Sequence, residues 1–281
     1  MRILITGGNG NIAKMIKKSL STQYEIVNPS HSELDILNLE IVTKFLNENN
    51  FDILVHTAIL GGRRTKDENG DVTHNNLLML ENLLRFQDKF KMIINFDSAA
   101  IYDRNTDILN RKETDLFTIP IDYYGFSKYM IYKRSEQYNK FYNLRIFNIF
   151  HANEETDRFI KSCFLSKKNN TEINIFQDKY FDFVYETDFL EIINHYFSNV
   201  ENQTDLIKTI NICYEEKYKL SDIAYLILEN KDKINIIDSN ITNNYSGDNS
   251  LLKQLNINLL GLEKSLLLYS NEFDKQHSTS V

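Results

Sequence analysis

Basic residues do not dominate this chain: 39 Asp and Glu against 32 Lys and Arg leave a formal net charge of −7. A sequence-independent nucleic-acid binder needs a basic footprint, so no nucleic-acid partner is expected, and an anionic substrate must find its cations locally. Cysteine is nearly absent. Cys163 and Cys213 show no CxxC spacing, which fits reduced, buried thiols in a cytoplasmic protein rather than a disulfide framework, and no metal site is expected. No apolar run approaches the about 18 residues of a membrane span, and the opening MRILITGG lacks the apolar stretch and cleavage site of a signal peptide. No membrane partner is expected either. Glycine (9) and proline (2) are scarce, and runs such as NENN, KKNN and ITNN reflect base composition rather than disorder.

What the 281 residues do contain, at 42% hydrophobic content, is enough apolar surface for a full core. Short apolar runs alternate with amphipathic stretches through the first half. RILIT, YEIVN, FDILVHTA, KMIINFDS and YNLRIFNIF read as strands, and the segments between them read as helices, including one long helix over YYGFSKYMIYKRSEQYNKF. Such alternation predicts an α/β fold, a Rossmann doubly wound parallel sheet covered by helices on both faces. After Phe150 the pattern loosens. The expected organisation is a dinucleotide-binding domain over residues 1–150, with 181–213 returning to it. A small interleaved C-terminal substrate lobe takes residues 151–180 and 214–281.

The stretch ITGGNGNIAKMI places Gly7 and Gly10 between the first strand and the first helix. A diphosphate can approach main-chain N–H groups at a helix N-terminus only where side chains are absent, so Gly7, Asn9, Gly10, Asn11 and Ile12 are candidate cofactor-binding residues. NAD binding usually calls for an acidic residue at the end of the second strand, where a carboxylate takes the ribose hydroxyls. Here the chain reads VNPSHSELD, with no carboxylate from Val27 to Ser30. Ser30 and His31 are expected to hydrogen-bond a 2′-phosphate instead, which favours NADP(H) over NAD(H).

In DYYGFSK, Tyr124 and Lys128 are four residues apart, within reach on one helical face, while Tyr123 points elsewhere. Tyrosine titrates near pH ~10, and a fall of about three units, or ~4 kcal/mol, makes it a proton donor and acceptor near neutrality. A nearby ammonium supplies that bias.

Taken in order, TGGNGNIA, LDILN, ILVHTA, DSAAIY, YYGFSK, LRIFNIF and FDFVYETD resemble the motifs of the extended short-chain dehydrogenase/reductase superfamily, in particular its nucleotide-sugar 4-ketoreductases. The resemblance implies that Tyr124 is the acid/base, that Lys128 lowers its pKa and holds the cofactor ribose, and that Ser98 hydrogen-bonds the reacting oxygen. It implies cofactor contacts at Asp35, Ile36, Thr57 and Ala58, and at Asn75, which would tie the active-site backbone together. Asn148 would contact substrate or nicotinamide, and Arg63, in AILGGRRTKDENG, would bind the substrate diphosphate. Where GDP-fucose synthases carry a cysteine and a histidine that move protons beside the keto group, this chain has Ala99 and Ala100, and Asp157 and Arg158. Combined epimerisation and reduction is thereby disfavoured. The expected activity is NADPH-dependent reduction of a nucleotide-activated 4-keto-6-deoxy sugar by a homodimer in surface-glycan precursor synthesis. A nucleotide-sugar epimerase and a non-catalytic dinucleotide sensor are the alternatives.

Overall fold

The computed structural model describes residues 1–62, 67–204, 206–240 and 242–278. The chain runs through β1 (Arg2–Ile5), α1 (Asn11–Leu20), β2 (Glu25–Val27), α2 (Leu39–Glu48), β3 (Ile53–His56), α3 (Gly70–Leu84) and β4 (Met92–Ser98). It continues with β5 (Ile108–Arg111), α4 (Tyr123–Ser135), β6 (Phe141–Ile146), β7 (Ile149–Phe150), α5 (Phe159–Asn169), β8 (Ile173–Gln177), β9 (Val184–Tyr185) and α6 (Glu186–Ser198). Next come β10 (Thr209–Ile212), α7 (Leu220–Leu228), β11 (Ile234–Asp238), β12 (Tyr245–Gly247), α8 (Ser250–Gln254) and α9 (Leu262–Ser278). Two compact units divide these elements: residues 1–104, 114–146 and 192–210 form the first, and 105–113, 147–191 and the chain from Asn211 onward form the second.

The first unit carries a six-stranded sheet in the order β10-β6-β4-β3-β1-β2, with every pairing from β6 to β2 parallel. This is the doubly wound Rossmann architecture. Strands β1, β3 and β4 are buried almost throughout, as parallel strands covered on both faces must be. Because β1 lies between β2 and β3, the winding reverses there, and ligands of such sheets bind outside the carboxyl ends of the strands at that switch point. On one face, Leu4, Leu54 and Ile93 of the sheet pack with Val42 and Leu46 of α2 and Leu80 and Leu83 of α3. Ile36 joins the same core at 5% exposure, and its carbonyl accepts a hydrogen bond from Asn82 Nδ2 at 3.0 Å. The Ile36 side chain, expected at the cofactor, is thus also part of this core.

Three helices of this unit start on side-chain caps. Asn38 accepts from the N–H groups of Glu40 and Ile41, Asn69 from Asp71, and Asp122 from Gly125 at 2.8 Å; each cap stabilises its helix by typically ~1 kcal/mol. The long helix expected after Asp122 is shorter than its sequence pattern. It stops at Ser135, whose hydroxyl donates back to the Tyr132 carbonyl at 2.6 Å and accepts from Asn143 Nδ2 at 2.8 Å. The strand expected over YNLRIFNIF also divides, since Phe141–Ile146 pairs with β4 while Ile149–Phe150 pairs with β9.

Among its described residues the second unit contains three two-stranded parallel sheets, β11-β8, β12-β5 and β7-β9. Its core is aromatic. Phe164 packs against Tyr269 of α9 with ring centroids 4.8 Å apart, and Phe150 against Tyr185 at 5.0 Å. Aromatic pairs at such distances add ~0.5–1.5 kcal/mol each beyond their buried area. Phe181 packs between Phe183 and Tyr245, its ring tilted 33° to each. Among the described residues no helix is long and apolar enough to cross a membrane.

Candidate active site

The turn after β1 is built for close backbone approach. Gly7 adopts φ +67°, and a Cβ there would lie 2.9 Å from the Ala58 Cα. Gly8 is tighter still: a Cβ would fall 2.0 Å from the Asn28 carbonyl oxygen, while the Gly8 N–H donates to Pro29 O at 3.0 Å. Gly8, between the expected Gly7 and Gly10, is thus a further glycine that the turn requires. Helix α1 then opens on Gly10, which offers no side-chain cap, beside exposed Asn9 and Asn11 and half-buried Ile12. The free first-turn N–H groups and the side-chain-free approach are what a diphosphate requires, so these residues fit the expected cofactor.

Thr6 links this turn to the end of β3. Its hydroxyl accepts from the N–H groups of Thr57 (3.2 Å) and Ala58 (3.3 Å), and its carbonyl accepts from Thr57 Oγ1 at 2.6 Å. Gly7, Thr57 and Ala58 are therefore brought together as expected. The second-strand loop differs from expectation. Glu33 Oε2 accepts from both the Ser30 N–H and the Ser30 hydroxyl, each at 2.7 Å. These bonds hold the Glu33 carboxyl below its ordinary range. The donors that Ser30 was expected to offer a 2′-phosphate are occupied by a carboxylate from three residues downstream. His31 is exposed, with Nδ1 3.6 Å from Asp35 Oδ1, and Asp35 also accepts from the Leu37 N–H at 3.0 Å.

Around the carboxyl end of β4 the expected catalytic residues converge on one region of the first unit. Ser98 is the last residue of β4, and its hydroxyl accepts from the Ala100 N–H at 3.2 Å. Tyr124 lies in the first turn of α4, half-buried, whereas Tyr123 is 46% exposed. The helical spacing thus distinguishes the two tyrosines. Lys128 Nζ lies 5.8 Å from the Tyr124 ring centroid and donates to the Phe96 carbonyl at 2.5 Å. Arg104 is a second cation, not anticipated from sequence, with Cζ 5.7 Å from the same ring. It pairs with Asp122 at 2.5 Å.

Lys128 is 4% exposed. Burial pushes its pKa down to about 8, and Asp97 pulls the other way, so the amine is mostly charged at neutral pH. Asp97 pairs with Arg145 across adjacent strands at 2.7 Å, both side chains being fully buried, and Arg145 also donates to the Tyr102 hydroxyl at 2.6 Å. Burial opposes the Arg145 charge, but Asp97 and Tyr102 more than offset it and hold the guanidinium above its ordinary pKa.

His56, at the end of β3, bonds Thr6 Oγ1 through Nδ1 at 3.0 Å, while its buried Nε2 has no protein partner. Burial, reinforced by the Lys128 charge, pushes its pKa from 6.5 to about 3. The unfolded chain therefore takes up this proton first as pH falls below 6.5, and the associated stability is lost down to about pH 3. The gap corresponds to at most ~5 kcal/mol. His56→Gln, which cannot titrate, is expected to flatten the fall in urea-unfolding free energy between about pH 6 and pH 4; an unchanged slope would assign acid lability elsewhere.

On α3 the structure distinguishes Asn75 from its neighbour. The tie expected of Asn75, which is half-buried, is made by fully buried Asn76. Asn76 Oδ1 accepts from the Leu60 N–H at 2.8 Å, and Nδ2 donates to Leu60 O at 3.0 Å and to Ser127 Oγ at 3.1 Å. Ser127 in turn donates to the Tyr124 carbonyl at 2.7 Å. Asn148 belongs to the second unit; its Oδ1 accepts from Arg158 at 2.9 Å and its carbonyl from the Val184 N–H. Arg63 lies outside the described residues.

Residues 3–213 match the family described as NAD dependent epimerase/dehydratase family. The chain belongs to that family. Membership agrees with the glycine turn at the switch point of the sheet and with the Tyr124–Lys128 pair above β4. A curated relative, GDP-L-colitose synthase of Yersinia pseudotuberculosis, is 29% identical over 112 residues, and the match spans only 38% of this chain and 36% of that protein. The structure is similar to dTDP-4-dehydrorhamnose reductase from Bacillus anthracis in complex with NADP, at TM-score 0.79 and 19% identity over 96% of this chain and 98% of that one. It is also similar to UDP-N-acetylglucosamine 4-epimerase from Bacillus cereus, at TM-score 0.77 and 19% identity over 97% and 99%. At these identities the structural likeness establishes the fold.

Proposed function

We propose that this epimerase/dehydratase family member reduces the C4 carbonyl of a nucleotide-activated 4-keto-6-deoxy sugar with NADPH, supplying precursors of surface glycans. The observation that carries the reading is Tyr124 in the first turn of α4 with the buried, mostly charged Lys128 one turn later. A bound nicotinamide would supply hydride to the carbonyl carbon. Tyr124 donates a proton to the oxygen as negative charge develops there, Lys128 stabilises the resulting phenolate, and Ser98 donates a hydrogen bond to the same oxygen. The turn Gly7–Ile12 and the Thr57–Ala58 segment hold the cofactor. The residues following Ser98 are buried Ala99 and Ala100, which carry no group able to move a proton beside the keto carbon, and this disfavours combined epimerisation and reduction. Pairing of two copies through α3 and α4 belongs to the same proposal.

The test is incubation of pure protein with NADPH and GDP-, dTDP-, CDP- and UDP-linked 4-keto-6-deoxy sugars, following absorbance and products. Stoichiometric NADPH loss with one of them supports reduction and names the nucleotide. Rearranged sugar with no net cofactor loss replaces reduction by epimerisation, and silence across the panel favours a dinucleotide sensor. Within this reading a 2′-phosphate has to displace Glu33 from Ser30. Glu33→Gln is therefore expected to tighten NADPH binding several-fold, with NADH affinity unchanged. Equal effects on both cofactors, measured by fluorescence titration, would remove this loop from cofactor selection.

A further inference from the structure

Gly62 lies directly against the ring of Tyr124. A Cβ on Gly62 would stand 3.0 Å from Tyr124 Cζ, 3.1 Å from Cε2 and 3.3 Å from Cε1. Those three near-equal distances put the Gly62 backbone over the hydroxyl-bearing end of the ring. Only glycine is comfortable there, because the residue adopts φ +90° and has no side chain to collide with the phenol. Gly61 before it also has positive φ, at +83°, and a Cβ on it would meet Glu68 Oε1 at 2.7 Å.

One side chain holds this contact from both sides. Glu68 Oε1 accepts from the Gly62 N–H at 2.6 Å, and Glu68 Oε2 accepts from the Tyr124 N–H at 3.2 Å. The carboxylate thus spans the glycine turn and the first turn of α4. Both bonds are to an ionised acceptor, and the negative charge stands at a helix N-terminus, where the macrodipole favours it. The cap from Asp122 to Gly125 serves a different N–H, so Glu68 is not redundant with it.

We infer that Glu68 is a positioning residue: by clamping Gly62 to the start of α4, it fixes the glycine backbone over Tyr124 and so sets the orientation of the phenol. Its catalytic consequence rests on the proposed role of Tyr124 as proton donor. The clamp itself does not, and the experiment separates them. Protein carrying [13Cζ]tyrosine, with the Tyr124 signal assigned through Tyr124→Phe, reports the ring, and hydrogen exchange of the Gly62 amide reports the clamp. Glu68→Ala is expected to accelerate Gly62 exchange at least about tenfold, as loss of a charge-assisted bond requires, and to shift the Tyr124 Cζ resonance. Glu68→Gln keeps the carbonyl oxygen that accepts from Gly62 and is expected to retain Gly62 protection and most of the ring signal. Wild-type exchange in Glu68→Ala overturns the clamp. Faster exchange with an unmoved Tyr124 resonance overturns positioning and leaves an ordinary turn. Gly62→Ala tests the contact independently of Glu68, and an unshifted Cζ resonance in that variant also overturns the inference. With a turned-over sugar in hand, Glu68→Ala lowers kcat on the order of tenfold at unchanged cofactor KM. Should Tyr124→Phe retain turnover, the acid role fails while the clamp, read by exchange and Cζ, stands.

Discussion

Replacing Tyr124 by Phe is expected to lower turnover of the 4-keto sugar by roughly 10²- to 10⁴-fold, the range for removal of a positioned general acid. The substitution deletes one oxygen and keeps the ring that packs against Gly62. It also keeps the backbone N–H that donates to Glu68 and the carbonyl that accepts from Ser127. Helix α4 and the glycine turn therefore retain their contacts, and cofactor affinity, measured by fluorescence titration, is expected to change by less than about threefold. Loss of turnover with affinity intact assigns the defect to proton transfer. Parallel loss of both would make Tyr124 a structural residue and return the protein to the class of dinucleotide sensors, because the fold is shared by proteins of many activities.

The parts of this site that were legible in sequence are those governed by local periodicity or by a turn. The spacing of Tyr124 and Lys128 selected the half-buried tyrosine over exposed Tyr123 because four residues nearly complete a helical turn. Gly7 and Gly10 announced the turn because a strand and a helix flank them directly. What escaped was set by packing or by partners distant in sequence. Asn75 and Asn76 are adjacent, and only the phase at which α3 packs decides that Asn76 reaches Leu60 and Ser127. Ile36 follows Asp35 in a step expected to contact adenine, and the period of the sequence does not show that its side chain packs into the core. Glu33 reaches back three residues to Ser30 through a loop conformation that no period encodes. The Asp97–Arg145 pair joins residues 48 apart through strand register, and Glu68 is 56 residues from Tyr124. In the second unit, β8 and β11 span five residues each, too few for a period to stand out, and α5 and α9 lie where the sequence pattern had loosened.

Lys128→Met is expected to separate stability from activity. In the folded protein the pKa of Lys128 falls from 10.5 to about 8 because burial disfavours the charge more than Asp97 favours it. At neutral pH the ammonium therefore costs the native state at most ~3 kcal/mol. The sign follows from proton counting: between about pH 8 and pH 10.5 the unfolded chain binds more protons at this site than the native one, so stability rises with pH through that window. Methionine has a similar length and no charge to desolvate, and apolar replacement of a buried ion is often neutral or stabilising. Denaturant unfolding at pH 7 is expected to give a variant ~1–3 kcal/mol more stable than the wild type, with the difference closing as pH approaches 10.5. Turnover should fall steeply in the same variant, since on the proposed mechanism the Tyr124 phenolate loses the ammonium one turn away. If the variant is instead less stable at pH 7, the bond to the Phe96 carbonyl and the attraction of Asp97 outweigh desolvation, and Lys128 contributes to the fold as well as to the chemistry. In the proposed reaction Lys128 Nζ stays charged so that Tyr124 can give up its proton, and the expected result would place that charge where the fold is more stable without it.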